Sequence, residues 1–203
     1  MKKNIITGFL AMGCALCLSA LGTSLGGSWD ASAPTGEGNV TNAKNITLTW
    51  ALSDGPDGAN PSVASVDGLF SVASYSHGDK LRTSVTSGTA PTRAINGVTL
   101  SQFEPTEVAS ANNDANAVIF TVNPKKGLKF RPTGVAFKAA KCGTNGGKMD
   151  VVLTAGNTTK VLAADNTPTA LIKNEYQQYT YTFDDVEATD GFTYLKIYIK
   201  GLA

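Results

Sequence analysis

The chain has 203 residues, of which 17 are basic and 16 acidic, so its formal net charge is +1. A balance this even excludes the strongly basic surface with which proteins hold nucleic acid. Its 21 glycines and 8 prolines, with frequent Thr, Asn, Ser and Asp, are typical of short strands joined by turns. Enough apolar residues remain to bury a core, which excludes wholesale disorder.

The N-terminal segment has the pattern of a secretory signal peptide. Lys2 and Lys3 form a basic start, and an apolar stretch from Ile5 to Leu21 ends in small residues. This stretch is short for a membrane-spanning helix and contains glycines, so we predict a signal peptide over residues 1–22 rather than a membrane anchor. The mature protein is therefore expected to be secreted or held at the cell surface, with no membrane span.

The cysteines do not indicate a disulfide framework. Cys14 and Cys17 leave with the signal peptide, so Cys142 remains alone and cannot form an intramolecular disulfide. Cys14 follows a sequence with a faint likeness to a lipoprotein box, which keeps lipidation open as an alternative. A nucleophilic Cys142 would need a nearby base, and His77 is the chain's one histidine. We interpret Cys142 as a buried or turn-edge thiol.

Composition divides the exported part into two regions. Residues 23–45 are rich in Gly, Ser, Thr, Ala and Asn, and we predict a flexible linker there. Residues 46–203 carry repeated short runs in which apolar and polar residues alternate, which predicts one β-domain. The first run contains Trp50, which falls on the same side of the predicted strand as the apolar residues of that run. We favour a core position for its ring, the alternative being a platform for a sugar.

The turn from Ser53 to Pro61 holds the candidate metal ligands, Asp54 and Asp57. Their carboxylate oxygens could hold calcium, and no other cofactor is indicated. The loop lacks the regular acidic spacing and the terminal glutamate of a calcium loop, so we favour plain turn residues.

The clearest pattern lies between Ala117 and Gly156, where three alternating runs are separated by proline-rich and glycine-rich turns. The apolar residues of each run share one face of a strand. They are Val118, Phe120 and Val122, then Val135, Phe137 and Ala139, then Met149, Val151 and Leu153. Further strands are predicted at residues 69–74, 81–86, 98–103, 160–163, 178–183 and 194–200, and no amphipathic helix of useful length is found. We predict an all-β fold, an antiparallel β-sandwich of jelly-roll (galactose-binding-like) topology.

No group of residues indicates catalysis. Ser76, His77 and Asp79 are too close together in a predicted turn, Tyr75 to Lys80, to adopt the relay geometry of a nucleophile and its base. Asp184 and Asp185 would point to opposite faces of a strand, which is wrong for a glycosidase pair. We therefore predict no catalytic residues in this chain.

The last predicted strand carries the candidate ligand-binding site. Its apolar residues alternate with two tyrosines and two lysines, which share the opposite face. These candidates are Tyr194, Lys196, Tyr198 and Lys200. Tyrosine rings can stack on sugars, and lysines can pair with uronate carboxylates. The alternative is that the tyrosines cover the second side of the strand while the lysines extend to water.

Three segments carry a resemblance to a known family: AVIFTVNPKKGLKFRPTGVAFKAAKCGTNGGKMDVVL, YQQYTYTF and LKIYIKGLA. Together, over residues 47–203, they resemble the non-catalytic N-terminal jelly-roll modules of secreted pectate lyase and pectinesterase proteins of gut Bacteroidota. The resemblance implies an accessory module that holds a plant polysaccharide, such as pectin, near a catalytic domain of a longer protein.

The same resemblance implies one more strand after the closing run. We therefore expect either a fragment of a larger enzyme or a short relative whose sheet lacks an edge strand. Two other functions stay open: a structural or adhesin-like domain of the cell surface that binds another protein, and a piece of a true hydrolase or lyase.

Overall fold

The computed structural model describes residues 17–19, 22–24, 48, 50, 70–82, 92–95, 98–101, 103–105, 111–141, 147–164 and 171–201. Over these residues the chain consists mainly of antiparallel strands, with a short 3-10 helix at Asp114–Asn116. The predicted all-β class is therefore confirmed. Within the same residues, no helix is long and apolar enough to cross a bilayer.

The described strands are numbered in chain order. They are β1 Cys17–Ser19, β2 Gly22–Ser24, β3 Phe70–His77, β4 Leu81–Arg82, β5 Thr92–Ile95, β6 Val98–Ser101, β7 Glu104–Pro105, β8 Ala117–Pro124, β9 Gly134–Ala139, β10 Gly147–Ala155, β11 Thr158–Ala163, β12 Gln177–Thr182 and β13 Thr193–Gly201. The main sheet has five strands in the order β11-β10-β13-β8-β3, and all its neighbouring pairs are antiparallel. The remaining strands form two-stranded sheets, β1-β2, β12-β9, β4-β7 and β5-β6.

Side chains of the main sheet alternate between a buried and a more exposed face, as period-two patterning requires. On β13, Leu195, Ile197 and Ile199 are at most 1% exposed, and the residues between them are half-buried. Phe120 on β8 and Val151 on β10 are also fully buried. Removing these side chains from water is the main favourable contribution to folding.

The pair of β9 and β12 contributes side chains to the same core as the main sheet. The rings of Phe137 on β9 and Tyr179 on β12 are stacked, with centroids 5.2 Å apart and planes 24° apart. Both side chains belong to the same hydrophobic cluster as Phe120 and Leu195 of the main sheet. The two sheets therefore share one core, which is the general way in which a sheet buries its apolar face.

The predicted core position of Trp50 is confirmed, and the alternative of a sugar platform at this residue is wrong. Leu48 and Trp50 have no exposed surface. The Trp50 ring lies edge-on to Phe120, with centroids 5.1 Å apart. An indole in this position contributes to the core and cannot contact a ligand.

The predicted turn from Tyr75 to Lys80 begins later than expected. β3 continues to His77, which pairs with Val118 of β8, so the turn starts at Gly78. A Cβ atom on Gly78 would lie 2.2 Å from the backbone of Ala115, so only glycine allows this close approach. The strand extends further because its pairing with β8 provides backbone hydrogen bonds that local turn propensity did not anticipate.

The remaining domain boundaries stay predictions. Of the predicted signal peptide and linker, residues 1–45, only β1 and β2 lie within the described residues, and these two strands pair with each other. Cys142 lies outside the described residues.

We expect the protein to lose stability at alkaline pH because folding raises the pKa values of two tyrosines of β12. Burial raises the pKa of Tyr179 to about 12, with a further contribution from Tyr181, and burial also raises the pKa of Tyr181 to about 12. The unfolded chain loses these protons near the ordinary value of 10.0, so stability is fully present below that pH and is lost as the pH rises towards about 12.

Circular dichroism and tyrosinate absorbance, recorded together against pH, measure this transition. In the variant Tyr179→Phe/Tyr181→Phe the loss of stability should move to higher pH. An identical alkaline transition in both proteins would contradict the assignment.

Candidate functional site

The four candidate binding residues lie together on the outward face of β13. Tyr194, Lys196, Tyr198 and Lys200 are all half-buried, and they alternate with the buried aliphatic residues of the same strand. β13 is the central strand of the main sheet, so β10 and β8 flank this face on either side. The ligand-binding role of the four residues stays a prediction.

Lys196 is held in an ion pair by a residue far away in sequence. Its Nζ lies 2.9 Å from Oδ1 and 2.7 Å from Oδ2 of Asp114, in the short 3-10 helix before β8. The hydroxyl of Tyr198 donates to the same carboxylate at 3.2 Å. Burial and the negative charge of Asp114 raise the pKa of Tyr198 to about 12, so this phenol stays protonated as a donor at neutral pH.

Lys200 forms a second ion pair, which is more deeply buried. Its Nζ lies 2.8 Å from Oδ2 of Asp150 on β10, and the two side chains are only 13% and 8% exposed. Asp150 lies opposite Tyr198 in the register of the two strands, so Lys200 reaches it diagonally. Both lysines of the candidate site are therefore neutralised by carboxylates of the same chain.

An exposed ring extends the line of outward side chains along β13 beyond the four predicted residues. Phe192, 45% exposed, precedes Tyr194 by one strand repeat, and the two rings are stacked with centroids 5.8 Å apart and planes 15° apart. On the other side along the strand, Nζ of Lys196 lies 5.7 Å from the centroid of Tyr194. Tyr194 thus has neighbours in both directions, and Phe192 is the more open ring.

A row of hydroxyl-bearing residues crosses the main sheet at the level of Tyr194. Tyr194 lies opposite Thr121 of β8 on one side and Thr154 of β10 on the other. The row continues to Ser74 of β3 and to Thr159 of β11. The hydroxyl oxygens of Thr154 and Thr159 are 3.4 Å apart. Each hydroxyl can donate and accept a hydrogen bond, as a sugar hydroxyl can.

Sequence reasoning missed three residues of this face. Phe192 could have been found by extending the alternation of β13 back by one step, because it has the same parity as Tyr194. Alternation along β10 also places Asp150 on the outward face, but one aspartate in that position gave a weaker indication of a site than the aromatic Phe192 did. Asp114 is 82 positions from Lys196, and no local pattern connects the two.

Two other groups of candidates were the metal ligands Asp54 and Asp57 and the group around His77. Asp54 and Asp57 lie outside the described residues, so their role in holding calcium stays a prediction. Within the described residues, no group of three or more His, Cys, Asp or Glu side chains could hold a metal ion. His77 follows Ser76 directly in β3, so the two side chains point to opposite faces of the strand and cannot form a relay.

Fold and site together define an antiparallel β-protein that presents aromatic, hydroxyl and internally paired charged residues on one sheet face. Comparisons of the chain with protein-family models, curated proteins and solved structures found no match.

Proposed function

We propose that this protein is an exported, non-catalytic accessory module of polysaccharide degradation, with a jelly-roll sandwich as its topology. In this role it holds a plant polysaccharide near a catalytic domain, and the outward face of β13 contacts the sugar. The observation that carries the proposal is the concentration of rings and hydroxyls on this one face, around Tyr194. Sugars are bound by stacking on rings and by hydrogen bonds to hydroxyls.

The export of the protein and its likeness to modules of pectate lyases and pectinesterases belong to the same proposal. They are supported by the basic and apolar N-terminus and by the TVNPKKGLKF segment, which begins in the last residues of β8 and continues into the loop after it. A sheet face of this kind needs no moving part, since the backbone of the strands already holds its side chains in position.

The proposal predicts retention of the purified protein by at least one plant polysaccharide in affinity electrophoresis, with calcium and with a chelator. The variant Tyr194→Ala/Tyr198→Ala is expected to bind about tenfold or more weakly, because it removes two rings from the face. Ile172→Ala is the matched control, since it trims an exposed apolar side chain, 41% exposed, before β12. Circular dichroism checks that each variant is folded.

Undiminished binding by the double tyrosine variant would contradict the assignment of the site. No retention by any polysaccharide would overturn the proposed function itself and favour the second candidate, a structural or adhesin-like domain. One observation supports that candidate: β11 is an edge strand of the described sheet, and Val161 on it is 63% exposed. An exposed edge strand can pair with a strand of another protein.

A further inference from the structure

We propose that the outward face of the main sheet recognises an uncharged carbohydrate chain, with Phe192 as its aromatic platform. This inference rests on the proposed function and names the class of ligand for it. The preferred ligands are neutral sugar residues, such as methyl-esterified galacturonate or galactose, rather than free uronates. Three features of the face lead to this conclusion.

The first feature is the charge of the face. A uronate carboxylate needs a cation that is free to pair with it, but Lys196 is already bound by both oxygens of Asp114 and Lys200 by Asp150. A ligand carboxylate approaching either lysine would also approach the aspartate beside it, and like charges repel. Lys148 is exposed and lies opposite Lys200 on the same face, but it is at the far end of β10 from Thr154 and therefore away from the rings. Asp190, also exposed, is two residues before Phe192.

The second feature is the position of the rings. Tyr194 is flanked along the strand by Phe192 and Lys196, so it supports Phe192 more than it offers a free face of its own. Phe192 has the largest exposed aromatic surface among the described residues. Its ring has neither a hydroxyl nor a charge, and it suits the C–H face of an uncharged sugar.

The third feature is the row of hydroxyls beside the rings. Thr121 and Thr154 are half-buried on either side of Tyr194, and Ser74 and Thr159 are exposed further out along the row. Neutral hydroxyls that both donate and accept match the hydroxyls of a neutral sugar chain. The row runs across the strands, so we expect a chain that lies across the sheet.

Two polysaccharides with the same backbone and different charge test the preference directly. Highly methyl-esterified homogalacturonan is nearly neutral, whereas its de-esterified form, polygalacturonate, is strongly acidic; a neutral β-1,4-galactan serves as a third probe. We expect one of the neutral probes to bind at least about tenfold more tightly than polygalacturonate. Its binding should change little between about 50 and 500 mM NaCl, because no charge pair forms with the ligand.

Two variants test the residues behind the preference. Phe192→Ala should weaken binding of the neutral probe about tenfold, whereas Ile172→Ala should leave it unchanged. Asp114→Asn releases the charge of Lys196, and we expect it to raise affinity for polygalacturonate by about threefold or more in a salt-dependent way. Glu187→Gln, which removes a negative charge from an exposed residue between β12 and β13, should have no such effect.

The outcomes separate this inference from the function on which it rests. Tighter binding of polygalacturonate than of both neutral probes would overturn the neutral preference and leave the polysaccharide-binding function standing. Full binding of the neutral probe by Phe192→Ala would overturn the role of that ring. Binding of no polysaccharide at all would overturn both the inference and the proposed function.

Discussion

Replacement of Phe137 by alanine is expected to lower the free energy of unfolding by about 3–5 kcal/mol. This ring has no exposed surface and is stacked on Tyr179 at 5.2 Å, so its removal leaves a cavity in the hydrophobic core. The loss is a large share of the stability of an ordinary domain, which is about 5–15 kcal/mol. Urea unfolding followed by tryptophan fluorescence measures it, with Trp50 in the same core as the reporter.

The matched control is the same change at an exposed position. Phe192→Ala removes a ring that is 45% exposed, so we expect a loss of about 1 kcal/mol or less. Phe137→Leu, which keeps most of the buried volume, should fall between the two. If Phe137→Ala cost no more than Phe192→Ala, the two sheets could not share the core described here.

Breaking the ion pair between Asp150 and Lys200 should give the second large effect. Asp150→Asn keeps the shape of the side chain but removes the carboxylate that pairs with the ammonium of Lys200, a side chain that is only 13% exposed. Loss of one partner of a buried pair typically costs about 3–5 kcal/mol, and we expect the lower end of this range because the lysine retains some contact with water. Thermal and urea unfolding at neutral pH measure the change.

Two further variants test whether the burial of the ion pair explains the loss of stability in Asp150→Asn. Asp150→Leu/Lys200→Met removes both charges together, and we expect much of the lost stability to return, because no uncompensated charge remains. Asp185→Asn breaks the pair of Lys160 and Asp185, whose side chains are 27% and 61% exposed, and should change stability little. Equal effects of Asp150→Asn and Asp185→Asn would contradict the assignment.

The second prediction bears on function because Asp150 and Lys200 belong to the sugar-binding face in our proposal. The ion pair with Asp150 fixes Lys200 at one end of the outward side chains of β13. The ion pair with Asp114 fixes Lys196 in their middle. Side chains fixed in this way lose less conformational freedom when a ligand binds. The pairs therefore position the face and, in our proposal, reduce the attraction of Lys196 and Lys200 for acidic sugars.

Much of the fold was predictable because strand alternation is a local property. In β8, β9, β10, β12 and β13 the predicted strands agree with the observed ones, and so does the face that each buries. The burial of Trp50 followed from the same parity. The late end of β3 was not predictable, since His77 is extended by its pairing with Val118 and the turn requires the close approach of Gly78 to Ala115.

The sequence by itself determined which residues of each strand face the core, because consecutive side chains of an extended chain must point to opposite sides. It therefore also determined that Tyr194, Lys196, Tyr198 and Lys200 share one face. Only the tertiary structure decided what those residues meet. Strand order brings Asp114 to Lys196 and Asp150 to Lys200 across 82 and 50 positions of sequence, and it aligns hydroxyls from five strands in one row. Such contacts depend on which strands become neighbours, and alternation within a strand carries no information about its neighbours.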